Sequence, residues 1–108
     1  MRKFYCGKLI QSPENDTKAD FKWSFFDGIL MVTGDGSMPD YNTDTEPPYA
    51  FLADSINEVV IGERITRIGN NAFHLCKKLN RVIFQNTVTS IGNNAFFDHN
   101  NTISIVTI

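Results

Sequence analysis

Long apolar runs and clusters of basic residues are both missing from this chain of 108 residues. No apolar stretch approaches the ~18 residues that a membrane-spanning helix needs, so membrane insertion is not expected. Lysine and arginine number 10 against 12 acidic residues, the net charge is −2, and the basic residues are scattered. The electrostatic footprint of a nucleic-acid-binding protein is therefore missing, and nucleic acid is not an expected partner.

Cysteine is also scarce, with only Cys6 and Cys76 in the sequence. One pair does not make the disulfide framework that stabilises small secreted scaffolds, so no bridge between the two is expected. We expect Cys76 to be a small buried hydrophobe instead. The first eight residues lack the hydrophobic region of a signal peptide. We therefore expect either a protein that stays inside the cell or a mature piece of a longer one.

Groups that could carry chemistry are few, and each has a simpler structural interpretation. His74 and Cys76 are two residues apart, a spacing at which side chains on a helical turn point in different directions and cannot pair. Two histidines and two scattered cysteines supply too few ligands for a zinc site. The sequence predicts no catalytic residue, no metal site, no cofactor and no enzyme activity.

Two loop segments also invite a functional interpretation. Gly34-Asp35-Gly36 follows a strand but lacks the third glycine of a dinucleotide-binding loop, and Pro47-Pro48 cannot open a long helix after it. Residues 35–46 offer several oxygen donors, but their spacing matches no EF-hand loop. A solvated loop is the favoured interpretation of residues 35–46, with a calcium site as the alternative.

What the chain does contain is an internal repeat. Residues 65–73 and 88–96 read Ile-Thr-Arg-Ile-Gly-Asn-Asn-Ala-Phe and Val-Thr-Ser-Ile-Gly-Asn-Asn-Ala-Phe, an offset of 88 − 65 = 23 residues. A unit of this length cannot bury its apolar side alone and must stack on its neighbours. The apolar positions before each copy follow the same offset, and a third set fits if one extra residue lies within 97–102: Ile56, Val59 and Ile61; Leu79, Val82 and Phe84; Ile103, Val106 and Ile108.

These alternating positions predict three parallel strands, at residues 56–61, 79–84 and 103–108, with Val106 and Ile108 facing the core. Between the strands, Gly69 and Gly92 are expected to let the backbone turn where a side chain would clash. Asparagine is a favoured N-cap, so the Asn-Asn pairs predict short helical turns that carry Ala72, Phe73, Ala95 and Phe96 inward.

The segment ahead of the repeats predicts a β-hairpin over about residues 21–33. Asp27-Gly28 separates two apolar runs, which is a strong hairpin signal. A two-residue turn would pair Phe25 with Leu30 and Trp23 with Val32 on one face. Because the end of a stack of repeats exposes an apolar cross-section, we interpret this hairpin as an N-terminal cap.

The repeat pattern V/I-T-x-I-G-N-N-A-F-x-x-(C)-x-x-L-x-x-V-x-(I/F) resembles the BspA-like leucine-rich repeats of bacterial and some protozoan surface proteins. The phrase W-x-F-x-D-G-x-L-x-V-x-G-x-G-x-M-x-D-Y, at residues 23–41, is similar to the segment that precedes their first repeat. The resemblance implies an α+β repeat fold, a short leucine-rich-repeat solenoid whose parallel strands are joined by arcs of turn and short helix. It would comprise a cap at 1–55 with the β-hairpin and repeats at 56–108, together one domain.

The resemblance also implies a non-catalytic protein-binding module of a cell-surface or secreted adhesion-type protein, with a partner of unknown identity. The alternative is a structural or self-assembly unit that pairs with copies of itself through its C-terminal edge strand. The strand face turned away from the core is the candidate binding face, although β-branched residues there are also simply good strand formers. Its predicted rows are Glu58, Arg81 and Ile105, then Val60, Ile83 and Thr107.

Overall fold

The computed structural model describes residues 9–12, 21–42, 44–96 and 103–107. Within those residues it has nine strands and one 3-10 helix. They are β1 (Ile10–Gln11), β2 (Phe21–Phe26), β3 (Ile29–Gly34), β4 (Gly36–Ser37), the helix Ala50–Ser55, β5 (Glu58–Ile61), β6 (Ile65–Ile68), β7 (Arg81–Phe84), β8 (Ser90–Ile91) and β9 (Ser104–Thr107). Cys6 and Ile108, which figure in the expectations above, lie outside the described residues.

Strands β2 and β3 form the predicted antiparallel hairpin. Phe25 is opposite Leu30 and Trp23 is opposite Val32, and all four side chains are buried. Asp27 and Gly28 both have positive φ, at 51° and 85°, as the tight turns that match strand twist require. The predicted register and inner face of the hairpin are therefore confirmed.

A six-stranded sheet runs in the order β1-β2-β3-β5-β7-β9, and from β3 onward its neighbours are parallel. Parallel pairing of β5, β7 and β9 confirms the predicted strand arrangement. β3 also joins the parallel array, with Leu30 beside Val59, and this pairing was not predicted. The second strand of the hairpin is thus the first strand of the stack.

The predicted register of β9 is wrong by one residue. Ile105 is beside Val82 and Val106 is beside Ile83, so the 23-residue offset continues from β7 to β9 without an extra residue. The backbone N–H of Ser104 donates to the carbonyl of Asn80 at 2.9 Å, which fixes this alignment. A one-residue slip exchanges the two faces of a strand, and Val106 consequently lies on the outer side of the sheet.

A second, three-stranded sheet in the order β4-β6-β8 was not predicted. Each repeat therefore contributes two short strands, and we call β5 with β6 the first coil and β7 with β8 the second coil. After β6 and β8 the chain turns without forming the predicted helices; among the described residues, helix occurs only at Ala50–Ser55. Asn71 and Asn94 make these turns with φ of 59° and 55°, which asparagine tolerates better than most residues.

Gly69 lies where a side chain would clash, as predicted. It does not have positive φ, but a Cβ at this position would overlap the backbone carbonyl of Pro39 in the preceding coil. Glycine is needed there because two coils approach closely. The predicted inward placement of Phe73 and Cys76 is confirmed, since both side chains are buried in the core between the two sheets.

An aromatic stack connects successive coils through this core. The Tyr49 and Phe73 rings are stacked at 5.5 Å, and the Phe73 and Phe96 rings at 5.7 Å with only 12° between their planes. The buried Tyr49 hydroxyl donates a hydrogen bond of 2.9 Å to the carbonyl of Ala72. That bond satisfies a polar group that would otherwise be costly to bury.

Candidate protein-binding face

The outer face is the side of the six-stranded sheet that is turned away from the core. Side chains alternate along each strand, so the buried Leu30, Val59 and Val82 place their neighbours outside. The strand register aligns these neighbours in two rows. The central row is Gln11, Ser24, Met31, Val60, Ile83 and Val106, and the lateral row is Phe26, Ile29, Glu58, Arg81 and Ser104.

The central row contains four apolar side chains on four consecutive parallel strands. With strands ~4.8 Å apart, Met31 and Val106 are separated by about 14 Å. Met31 is 42% exposed, and the adjoining Ile29 and Phe26 of the lateral row are 40% and 49% exposed. Clustered exposed apolar side chains of this kind are typical of interaction surfaces.

Four of the six predicted face residues occupy their predicted rows. Glu58 is beside Arg81, and Val60 is beside Ile83. The placement of Ile105 and Thr107 is wrong, because the one-residue shift of β9 puts them in the inward-facing rows of Val82 and Phe84. Ser104 and Val106 take their places on the outer face. The binding role of the whole face stays a prediction.

Sequence reasoning missed the hairpin's share of the face, above all Met31 and Ile29. A signal was present, since Gly28-Ile-Leu-Met-Val has the same alternation as Asn57-Glu-Val-Val-Ile, the strand beside which it lies. The hairpin was interpreted as a separate cap, and its outward residues were therefore not aligned with the repeats. Parallel pairing of β3 with β5 extends the face by one strand.

A depression of about 410 Å³ lies where the outer face crosses the hairpin. Ser24, a small residue, separates the larger Met31, Lys22 and Gln11 around it. The remaining lining comes from Ser12, Trp23 and Thr33. This depression combines hydroxyl, amide and ammonium groups with the apolar side chain that begins the central row.

Comparison with known proteins accounts for this architecture. Residues 45–108 match the family model described as "BspA type Leucine rich repeat region (6 copies)". The chain belongs to this family. Membership indicates a protein-interaction module of the repeat type, whose relatives are typically non-catalytic and are often surface proteins.

A crystal structure of a leucine-rich repeat protein from Eubacterium ventriosum ATCC 27560 has a similar fold, with 33% sequence identity and a TM-score of 0.81. The similarity covers 94% of this chain but 27% of that protein, so the chain spans about a quarter of its relative. No curated protein matches the sequence significantly.

Within this BspA-type array, one side-chain acceptor per coil fixes the stacking. The Asp40 carboxylate accepts the backbone N–H of Asn70 at 2.7 Å, and the Asn70 side-chain oxygen accepts the backbone N–H of Asn93 at 2.7 Å. Arg67 donates to both acceptors, at 2.8 Å to Asp40 and 3.2 Å to Asn70. The N–H of Asn70, followed by Arg67, holds the pKa of Asp40 below its usual value.

Cys76 and His74, which lie within the described residues, have structural environments. Cys76 is a free, buried thiol, and burial, with a smaller contribution from Asp54, raises its pKa to about 12. The Nδ1 atom of His74 lies 2.9 Å from the Asn71 carbonyl within the same turn. Within residues 9–12, 21–42, 44–96 and 103–107, no three His, Cys, Asp or Glu side chains gather as metal ligands.

None of the helical segments in the described ranges has the length and apolar character to cross a membrane.

A second apolar surface lies on the last described coil. A groove of about 440 Å³ is lined by Ile91, Phe96 and Ile105, among others, and Ile105 is 51% exposed there. Ile91 and Phe96 correspond to Ile68 and Phe73 of the first coil, and both of those are buried. The repeat therefore offers two different apolar surfaces, the outer face and this coil end.

Proposed function

We propose that the chain is a non-catalytic protein-binding module that holds its partner on the outer face. The observation that carries this proposal is the apolar central row, aligned over four strands and bordered by polar residues of the lateral row. Strand backbones fixed in register preorganise these side chains, and a rigid surface loses little conformational entropy when it binds. Glu58 and Arg81 then supply charge recognition beside the apolar contact.

The remaining parts of the molecule have supporting roles in this proposal. The hairpin at 21–33, within an N-terminal cap of 1–55, shields one end of a short solenoid formed by the repeats at 56–108, and the two act as one domain. The larger protein that presents the module is of the cell-surface or secreted adhesion type. Family membership supports that setting, and protease treatment of intact cells that express the full gene product would test it.

Charge substitution on the outer face tests the binding proposal. Ile83→Glu would place a charge in the central row, whereas Thr66→Glu changes an exposed residue of the other sheet by the same charge. We expect Ile83→Glu to abolish retention of a partner captured by the wild-type chain, and Thr66→Glu to leave retention unchanged. Equal retention by both variants, with unchanged unfolding midpoints, would overturn the proposal.

A second candidate function is self-assembly without a foreign ligand. The exposed groove beside Ile91, Phe96 and Ile105 favours it, because open sheet edges and apolar cross-sections pair readily with other chains. Sedimentation over a concentration series distinguishes the two. Self-assembly predicts association that Ile105→Lys suppresses and Ile83→Glu does not affect, whereas a binding module limited to foreign partners stays monomeric throughout.

A further inference from the structure

We propose that the depression at the hairpin end of the outer face anchors an acidic side chain of the partner protein, while the central row holds adjoining apolar residues. This inference rests on the proposed function, because it names the chemistry of the partner at one end of the same face. The groups that carry it are Lys22, Ser24, Thr33 and Met31.

The strand register brings the donors of the depression together. Lys22 is directly opposite Thr33, and Ser24 is directly opposite Met31, positions at which Cβ atoms are ~4.5–5.5 Å apart. Lys22 and Ser24 are two residues apart on β2 and therefore share the outer side. An ammonium group and two hydroxyl groups thus surround a space of about 410 Å³, which is enough for a carboxylate side chain and water.

Lys22 has no ion-pair partner among the residues that the structure describes. The lining of the depression contains no carboxylate, and across the described ranges the ion pair present joins Arg67 to Asp40, not to Lys22. The carboxylates nearest to Thr33 lie outside the lining: Asp35 follows two residues later in the chain, and Glu63 follows Gly62, whose N–H donates to the carbonyl of Val32. Among the described residues neither carboxylate forms an ion pair with Lys22, so its ammonium group is available to a carboxylate that a partner supplies.

Met31 connects the depression with the apolar surface, because it lines the first and begins the second. Val60 and Ile83 follow at one and two strand spacings, about 5 and 10 Å away. A protein segment with an acidic residue close to apolar residues therefore fits the whole face. The depression has one lysine, Lys22, and the chain has a net charge of −2. An anionic membrane surface is a poor fit as the partner, because such surfaces are bound by clusters of basic residues.

A peptide selection tests this chemistry without a known partner. A random decapeptide library displayed on phage is selected against the intact chain and, separately, against Lys22→Glu. We expect the wild type to enrich peptides that carry Asp or Glu near apolar residues, and Lys22→Glu to enrich Lys or Arg at the same position. A synthetic peptide of the first kind should bind Lys22→Glu about fivefold more weakly or worse, a change appropriate to one exposed charge contact.

Matched variants separate the possible outcomes. Lys78→Glu makes the same charge change at an exposed position between the coils and should leave peptide affinity unchanged, while Lys22→Arg should retain it. Peptides whose binding is lost in Ile83→Glu but is indifferent to Lys22→Glu would overturn this inference and leave the proposed function standing. Recovery of no peptide that depends on Ile83 would overturn both.

Discussion

The first and second coils share the sequence Ile-Gly-Asn-Asn-Ala-Phe but differ in burial. Ile68 of the first coil is 0% exposed, whereas the equivalent Ile91 of the second is 44% exposed. Phe73 is buried and Phe96 is only partly buried. Among the described strands, the first coil has a neighbour on each side in both sheets, whereas β8 of the second coil pairs with β6 alone. In a repeat, therefore, stacking neighbours determine which apolar residues become core.

The largest expected difference in stability between the two coils comes from comparing Phe73→Ala with Phe96→Ala. Phe73→Ala should lower the free energy of unfolding by about 3–5 kcal/mol, because it removes a ring that is packed on both faces. Phe96→Ala should cost only about 1–2 kcal/mol, because that ring buries less area. Chemical denaturation measures both values, and equal losses would contradict the comparison.

Ile68→Val and Ile91→Val compare the same two coils through a smaller change in side-chain volume. Removing one methylene from the fully buried Ile68 should cost about 0.5–1.5 kcal/mol. The same change at the exposed Ile91 should fall within about 0.5 kcal/mol of zero. Thermal unfolding followed by circular dichroism is sufficient to rank the two, and a larger effect at Ile91 would mean that the second coil is covered in solution.

The thiol of the first coil reports on burial without a change of packing. In a Cys6→Ser background, Cys76 should react with a thiol reagent at pH 8 far more slowly in the native chain than in the unfolded chain, because its raised pKa keeps it protonated. Its stabilising contribution is fully present below the ordinary thiol pKa of ~8.5. It is lost as pH rises from there towards about 12. Equal labelling rates would show that the first coil opens readily.

Substitution of Asp40 should have the smallest effect on stability. It tests the hydrogen bond by which Asp40 holds the backbone N–H of Asn70 in the next coil. Because the pKa of Asp40 is lowered in the folded state, its contribution is present above the ordinary carboxyl pKa of ~3.9 and is lost as pH falls through the lower folded value. Asp40→Asn should keep an oxygen that accepts the N–H of Asn70 and should remove the pH dependence of stability. Asp40→Ala should remove the hydrogen bond as well as the pH dependence. An NMR titration of Asp40 at or above its ordinary pKa would contradict the assignment.

Local signals in the sequence were sufficient for much of the fold. The Asp27-Gly28 turn and the aromatic alternation predicted the hairpin register, and the 23-residue repeat predicted parallel pairing of β5 with β7. Residues 103–108 were misassigned because Ile-Ser-Ile-Val-Thr-Ile alternates acceptably in either register. The long-range pairing of β9 with β7 distinguishes the two, together with the hydrogen bond from the N–H of Ser104 to the carbonyl of Asn80.

The candidate face was harder to predict for a related physical reason. Val60 and Ile83 could be identified from their strands alone, because alternation sets the outward side. Met31 and the depression around Lys22 depend on how β3 pairs with β5 and how β1 pairs with β2. Those contacts join segments far apart in the sequence, and the alternation shared by residues 28–32 and 57–61 was the signal for the pairing of β3 with β5.

The chain of acceptors from Asp40 to Asn70 to Asn93 has a consequence for how such proteins change length. Each acceptor bonds the backbone N–H of the coil that follows it, and this bond is the same wherever a coil stands in the series. Tandem duplication or deletion of one 23-residue segment, starting at any position in it, leaves every remaining junction with the same bond. Recombination within the gene can therefore lengthen or shorten the array in whole coils while the hydrogen-bond register is inherited unchanged.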